Sequence, residues 1–237
     1  MGEARQSIKK RGILSMKKEL KSSKWLDAKE MIRKCHLSQL NSEETSISEW
    51  KLAFDTLMLA LKDERAMEPE FAKEVSELTK DTGFDYDFED ILEEYFDYIE
   101  AKEEWALVIE SCDQMLENFA WKNALPSEYK FRKGNALESD GQIKAAEAFG
   151  KAWLEEYPED YYAAASNVFL MIAMGKIEEA EELTNNYLRN DLICDSKTDT
   201  FFMAAYRLYE ITDNIYAKQR VEKKLAEYNA ISEAIEE

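Results

Sequence analysis

Glycine and proline are scarce in this chain, with 7 Gly and 3 Pro among 237 residues. Glycine supplies positive φ angles in turns and proline interrupts helices, so a helical protein needs little of either. A β-sandwich or a nucleotide-binding α/β fold would ordinarily need more turn glycines. The hydrophobic fraction of 45%, with 12 Tyr, 11 Phe and 5 Trp, argues against a disordered chain. The composition therefore predicts an all-α fold with a sizeable core.

Residues and motifs that usually carry catalysis are also lacking. His36 is the single histidine, and no His, Asp or Glu lies three or four positions from it, which excludes HExxH and similar metal-binding helices. Its neighbour Cys35 cannot form a local Cys–His pair, because adjacent helical residues diverge by about 100°. The sequence contains no GxGxxG, GxxxxGK[ST] or GxSxG motif. We therefore expect a structural or surface role for His36, and no catalytic residue, cofactor or metal.

One acidic cluster, Asp81 to Asp90, superficially resembles the start of a calcium loop. It has no central glycine and no bidentate Glu at the twelfth position, and aromatic residues fill the alternate sites. Acidic residues also suit the N-terminus of a helix, where they accept hydrogen bonds from free N–H groups. The cluster therefore predicts the N-cap and first turn of a helix that begins near residue 88.

Disulfide, zinc and membrane signals are missing. The three cysteines, at positions 35, 112 and 194, are widely spaced and form no CxxC pair. No stretch approaches 18 uninterrupted apolar residues, and the apolar run near the N-terminus is too short for a signal peptide. These features predict reduced thiols, a cytoplasmic location and no segment that crosses a membrane. Met16 is a second candidate for the first residue, with residues 1–15 as a disordered leader.

Positive charge is scarce outside the N-terminal segment. The chain carries a net charge of −19, yet residues 1–36 hold eleven basic and four acidic side chains, a net +7. The remaining residues therefore carry −26, a field that repels phosphates and disfavours nucleic acid as a partner. The basic segment could dock on RNA, on anionic lipid or on the acidic body of the protein, and simple solvation is a further reading.

The N-terminal third shows helical periodicity. Trp25, Ala28 and Ile32 predict a helix over about 18–37, and a broad apolar stripe predicts another over about 47–66. Pro69 fits the first turn of a shorter helix that ends near Gly83. We therefore expect residues 1–17 to form a disordered basic leader and residues 18–88 to form an N-terminal helical cap.

The second half of the chain contains an internal repeat. Residues 127–160 and 161–194 align without a gap at a period of 34, so that Gly141 falls on Gly175 and Ala146 on Ala180. The glycines can take a conformation that a Cβ would oppose, which allows two antiparallel helices to turn sharply. The alanines permit close approach of the second helix to the first. The repeat unit is therefore predicted to be a helical hairpin.

Several positions carry a family resemblance. The pattern W-x2-L-G-x2-Y, A-x3-F, P is matched at Gly134, Ala146 and Pro158, with Leu137 in place of Tyr and with Lys130 and Lys133 in place of Trp and Leu. On these residues the chain resembles the tetratricopeptide repeat (TPR) family. The resemblance implies a solenoid of helical hairpins, an alpha-alpha superhelix, over residues 89–237, in units of about 89–122, 127–160, 161–194 and 199–232. Four-residue insertions at 123–126 and 195–198 separate the outer units.

One departure from the family recurs. Where the family places a large residue and then a small one three positions later, this chain has the reverse order in the pairs Gly150/Trp153, Thr184/Tyr187 and Cys112/Met115. Exchanging large and small partners can conserve the volume of a packed core. The reversal is therefore compatible with the hairpin stack.

The resemblance also implies a binding surface. In stacked helix pairs the first helices line a concave face, and their non-core positions are free to meet a ligand. Those positions here are Glu93, Glu94, Asp97, Phe131, Arg132, Asn135, Tyr162, Ser166, Phe169, Met203 and Arg207. The face would suit an extended peptide, with basic residues toward its acidic end and an apolar or acidic anchor near the two arginines.

Two functions from different classes follow. The first is a non-catalytic adaptor that binds a protein or peptide, of unknown identity, on the concave face. The second is a regulatory module whose basic N-terminal segment contacts nucleic acid. An enzyme of unfamiliar type and a purely structural oligomer are further alternatives. A homodimer stays open as the oligomeric state, since unpaired solenoid ends often associate.

Overall fold

The computed structural model describes residues 20–41, 45–122 and 125–236, and within these ranges all regular structure is helical. The all-α prediction is confirmed. The predicted leader 1–17 lies outside the described residues. The chain divides into two compact units between Glu93 and Glu94. No helix of the described ranges combines the length and apolar character needed to cross a bilayer.

The first unit is built on two long helices that pack together. Its elements are α1 (Lys24–Leu40), α2 (Ile47–Met67), a 3₁₀ turn (Val75–Glu77), α3 (Leu78–Thr82) and the first residues of α4 (Phe88–Ala101). The stripes predicted for α1 and α2 are buried, including the side chains of Trp25 and Trp50. α2 begins at a capping box between Ser46 and Glu49. Both long helices therefore follow the predicted periodicity, but α1 begins at Lys24 and not near residue 18. The amides of Lys21 and Ser22 donate to the Glu64 side chain, and residues 20–23 lie outside the helix.

The prediction of a helix that begins at Pro69 is wrong. Residues 69–72 form a turn, and Ala72 has a φ of +39° that no helix accepts. The guanidinium of Arg65 donates to the carbonyls of Phe71 and Ala72, which a helix would have used four residues later. Only the 3₁₀ turn and α3 follow, and α3 ends at Gly83 in the left-handed conformation, as predicted.

Part of the acidic cluster caps α4. Asp87 accepts a hydrogen bond from the amide of Glu89 at 2.9 Å, and Asp85 pairs with Arg33 at 2.9 Å. The predicted role at the start of α4 is therefore confirmed for Asp87, Glu89 and Asp90. Asp85 and Asp81 act elsewhere, since Asp81 accepts a hydrogen bond from the amide of Ala72 at 3.0 Å. His36 is buried, with its ring against Tyr86 at a centroid distance of 4.5 Å, in a structural setting.

A buried carboxylate organises the start of α1. Glu64 on α2 is fully buried, and its oxygens accept hydrogen bonds from the amides of Lys21 at 3.0 Å and Ser22 at 2.8 Å, and from the Trp25 indole at 3.1 Å. These donors precede or open α1, where backbone N–H groups have no helical partner. Glu64 thus satisfies them across the interface between α1 and α2.

The second unit consists of helices joined in pairs. After the end of α4 come α5 (Trp105–Asn118), α6 (Ser127–Ser139), α7 (Ile143–Glu156), α8 (Tyr161–Ala173), α9 (Ile177–Tyr187), α10 (Asp199–Ile211) and α11 (Ile215–Glu236). α6 packs on α7, α8 on α9, and α10 on α11. In addition, α6 packs against α8 and α8 against α10.

All four hairpin turns in this unit share one conformation. Glu103, Gly141, Gly175 and Asp213 have φ angles of 58°, 76°, 71° and 52°. In each turn the next amide donates to the carbonyl five residues earlier. The four bonds run from Glu104 to Ile99 (3.0 Å), Gln142 to Leu137 (2.9 Å), Lys176 to Met171 (2.8 Å) and Asn214 to Tyr209 (3.0 Å). The sharp turns predicted at the two glycines are confirmed.

A buried amide locks α7 to α8. The Asn167 side chain donates to the carbonyls of Gly150 at 2.9 Å and Ala163 at 2.8 Å. A Cβ added to Gly150 would lie 2.9 Å from the Asn167 Oδ1 atom, closer than van der Waals contact allows. Gly150 is therefore small because Asn167 occupies the space beside it.

The role of Glu64 is testable with the change Glu64→Gln. The glutamine side chain would turn an N–H group toward the backbone amides and the indole that now donate to Glu64, and these donors would lose their acceptor. We therefore expect the free energy of unfolding to fall by roughly 2–4 kcal/mol. Urea titration followed by circular dichroism measures this, and hydrogen exchange at the Ser22 amide should accelerate. Glu30→Gln, at an exposed position on α1, is the matched control and should change stability by under about 0.5 kcal/mol. Equal stabilities for the two variants would contradict the assigned role.

The packing of Gly150 against Asn167 is testable by a double-mutant cycle. Gly150→Ala should destabilise the wild-type chain by about 1–2 kcal/mol, even though alanine is the better helix former. In an Asn167→Ala background the clash is gone, and the same change should stabilise by up to about 1 kcal/mol. Thermal and urea unfolding of the four proteins give the coupling. Additive effects would rule out the contact.

Candidate functional site

A cleft of about 420 Å³ lies along α6 in the second unit. We call it the α6 cleft. Four of its lining residues, Glu128, Arg132, Asn135 and Ser139, recur every three or four positions and so share one face of α6. The other lining residues are Asp97 and Glu100 of α4, Trp105 of α5, Phe131 and Ala136 of α6, and Tyr162 of α8. Four helices thus contribute to one concave surface.

Arg132 is the electrostatic centre of this cleft. Its guanidinium pairs with Asp97 and Glu100, each at 2.9 Å, and with Glu128 at 3.2 Å. It also lies 5.6 Å from the centre of the Phe96 ring, and its side chain is only 13% exposed. One cation therefore serves three carboxylates, which leaves the cluster with a net negative charge.

The pKa values in this cluster reflect that imbalance. Burial raises the pKa of the Glu100 carboxyl, and the nearby Arg132 offsets this only in part. Burial alone would lower the pKa of Arg132, but the negative charges of Glu100, Asp97 and Glu128 outweigh burial and hold this pKa above its ordinary value. Arg132 is accordingly a fixed cation, and its carboxylate neighbours are in excess.

Aromatic residues also line the cleft. The rings of Phe131 and Tyr162 meet edge to face, with centroids 5.9 Å apart. Both side chains are half-buried, so apolar ring surface remains open to the cleft. An apolar wall beside an acidic cluster suits a ligand group that has an apolar stem and a cationic end.

The structure brings together five of the concave-face residues named from the sequence. Asp97, Phe131, Arg132, Asn135 and Tyr162 line the α6 cleft. The others do not line it, and two of them are explained by local contacts. Ser166 is buried against Gly134, and Arg207 is exposed and pairs with Glu210 at 2.7 Å.

Three further predicted positions lie elsewhere in the second unit. Phe169 packs partly buried against the core formed by α8 and α10. Met203 on α10 is 47% exposed. Glu94 is half-buried on α4, and Glu93 belongs to the first unit.

Sequence reasoning missed several lining residues. Glu128 could have been found, because it stands four positions before Arg132 and can pair with it along one helix. Glu100 and Trp105 could not, because they reach α6 only through tertiary packing. The sequence also named Arg132 as an anchor for a ligand, whereas its donors already serve three carboxylates.

Neither the arrangement of metal-binding side chains nor the comparisons with known proteins assign a function to this chain. Within residues 20–41, 45–122 and 125–236, no three His, Cys, Asp or Glu side chains are grouped so as to hold a metal ion. No protein-family model matches the sequence, and no curated protein is significantly similar to it.

The ion cluster predicts a stability difference between two arginines. Arg132→Ala leaves three carboxylates without their cation and should lower the free energy of unfolding by roughly 1–3 kcal/mol. Arg207→Ala removes an exposed pair within one helix and should cost less than about 0.5 kcal/mol. Urea unfolding of both variants checks this. Equal effects would show that the cluster contributes nothing specific.

Proposed function

We propose that this chain is a non-catalytic adaptor that binds an extended segment of a partner protein in the α6 cleft. The observation that carries the proposal is the convergence of five predicted concave-face residues, from α4, α6 and α8, on one cleft. They are separated by up to 65 positions in the sequence. Their meeting follows from the stacking of helix pairs, the arrangement that repeat proteins use to bind peptides.

We further propose that the second unit is a TPR-like solenoid. The packing of α6 on α8 and of α8 on α10 supports this, because first helices of successive pairs are neighbours in such a stack. The left-handed turn residues at 103, 141, 175 and 213 support it as well. Their spacing is 34, or 34 plus one four-residue insertion, which agrees with the units inferred from the sequence.

Lys130 and Lys133, which replace Trp and Leu of the family pattern, also fit a TPR-like solenoid. Lys130 lies 4.5 Å from the centre of the Tyr157 ring and pairs with Glu156, and Lys133 lies 4.9 Å from the centre of the Phe149 ring and pairs with Asp113. Both lysines are mostly buried. Their aliphatic stems can therefore fill the space that Trp and Leu occupy in the family.

The charge of the cleft points to a basic ligand. Three carboxylates surround one guanidinium, so a lysine or arginine of the partner would find acceptors there, whereas an acidic group would be repelled. We therefore propose a basic segment, in place of the acidic anchor considered from the sequence.

A cytoplasmic location completes the proposal. Cys35, Cys112 and Cys194 are free thiols, and burial raises the pKa of each. Unpaired, poorly ionised cysteines are typical of a reducing compartment and of structural positions.

The proposal is tested by selecting peptide ligands and then blocking the cleft. A displayed library of random dodecapeptides is panned on the full-length wild-type chain, and the enriched peptides are synthesised. Asn135→Lys places a cation inside the cleft and should weaken their binding at least tenfold. Asn186→Lys makes the same change at an exposed position on α9, outside the cleft, and should leave binding unchanged. Fluorescence anisotropy gives the affinities, and circular dichroism verifies folding.

Two results would overturn the proposal. One is the absence of any enriched peptide. The other is a set of peptides whose affinity falls equally with Asn135→Lys and Asn186→Lys, because binding would then follow net charge and not the cleft.

A further inference from the structure

A second, larger cavity of about 840 Å³ lies where α6 and α8 begin. One wall is residues 189–198, the segment that connects α9 to α10 and includes the insertion 195–198. We call it the loop-edge cavity. Glu128 and Tyr162 line both this cavity and the α6 cleft. The two are therefore neighbours on one surface of the second unit.

The connecting segment is held in place from several sides. Lys224 of α11 donates to the carbonyls of Leu192 and Asn190, the latter at 3.3 Å. Arg220 donates to the Asn190 side chain at 2.8 Å, and the Tyr162 hydroxyl donates to the Ser196 carbonyl at 3.3 Å. The cavity is thus built by contacts from α8 and α11, which a loose surface loop would not make.

Two large apolar side chains at this cavity are exposed. Leu125 is 53% exposed and Ile193 is 73% exposed. The ring of Tyr162 and the side chain of Leu192, both half-buried, continue the apolar lining. Exposed apolar groups that converge on a concave site mark a place where a large apolar side chain can be buried.

Negative charge surrounds this apolar lining. Five carboxylates line the cavity against two cations, Arg189 and Lys197, a net charge of −3. Asp160 is committed, since its side chain accepts from Ser127 at 2.7 Å and from the Trp153 indole at 3.1 Å.

Two of the remaining carboxylates are available to a ligand. Glu159 and Asp191 are exposed, and neither makes an ion pair with any described residue. Glu128 is shared with Arg132, and Asp195 accepts hydrogen bonds within its own loop. Glu159 and Asp191 are therefore the carboxylates that can receive a partner's cation.

We propose that the loop-edge cavity is a specificity pocket for a linear partner segment in which a large apolar residue stands beside a lysine or arginine. The apolar side chain enters between Leu125 and Ile193, and the cation meets Glu159 and Asp191. The rest of the segment continues into the α6 cleft past Tyr162, so this inference rests on the proposed peptide-binding function. An apolar lining beside carboxylates that have no cationic partner among the described residues favours this partner chemistry over an acidic or wholly polar one.

The test pans the same random dodecapeptide library in parallel on three full-length proteins. These are the wild-type chain, the charge reversal Glu159→Lys/Asp191→Lys, and the control reversal Glu178→Lys/Glu182→Lys on the exposed face of α9. Both double variants change the net charge by the same amount. We expect the wild-type and control proteins to enrich peptides with an apolar residue next to Lys or Arg. Recovery of those peptides should fall at least tenfold on the cavity variant.

A neutral variant provides a second readout. Ile193→Ser removes apolar surface at a highly exposed position and leaves the charge unchanged. It should weaken peptides that contain the apolar residue at least threefold, and should not affect versions in which that residue is replaced by Ser. Circular dichroism verifies that all variants fold.

The outcomes separate this inference from the proposed function. Equal recovery on the two charge reversals, or enrichment of peptides without the apolar–basic pair, would overturn the specificity pocket. Peptides that respond to Asn135→Lys but not to Glu159→Lys/Asp191→Lys would overturn the pocket and leave the proposed function standing. Peptides that respond to neither change would overturn both.

Discussion

The left-handed turn between paired helices is the constraint on which the second unit depends. At each turn one residue takes a φ between 52° and 76°, and the following amide closes a hydrogen bond to the carbonyl five residues earlier. This bond satisfies a carbonyl at the helix C-terminus that would otherwise lack a partner. It also reverses the chain within a few residues, so the second helix must pack on the first. Gly141 and Gly175 accept the conformation without the strain that a Cβ brings.

Polar side chains then fix how one pair meets the next. Asp160 joins three helices, because it accepts from Ser127 of α6, from Trp153 of α7 and from the amide of Tyr162 at the start of α8. Asn167 fills the space beside Gly150 and ties α8 to α7. These contacts explain the reversed order of small and large residues at Gly150 and Trp153. The Trp153 indole donates to the buried Asp160 carboxylate, and Gly150 leaves room for the Asn167 side-chain amide. Buried polar groups of this kind are specific because each partner is required.

The sequence predicted the parts of the fold that local patterns determine. Periodicity located α1 and α2, and the aligned glycines located two of the hairpin turns. The helix predicted after Pro69 is absent because the guanidinium of Arg65, on the preceding helix, donates hydrogen bonds to carbonyls that a helix would have used in its own backbone bonds. For the cleft, repeat geometry named five lining residues, but the pairing of Arg132 with Asp97, 35 positions away, exists only in the folded chain. The loop-edge cavity was missed because α11 shapes its wall from a distant part of the sequence.

The charge distribution around Arg132 is difficult to explain by stability alone. One carboxylate would neutralise the guanidinium, and the second and third add mutual repulsion. Glu100, the partly buried member, also carries a cost of burial, which is visible in its raised pKa. The excess is understandable if a cation from outside completes the cluster, since such a ligand relieves the repulsion that the free protein contains. The same reasoning extends to Glu159 and Asp191, which make no ion pair within the described part of the chain and lie beside exposed apolar side chains. The α6 cleft and the loop-edge cavity therefore share one electrostatic character, and on this basis we propose a single basic segment as the ligand of both.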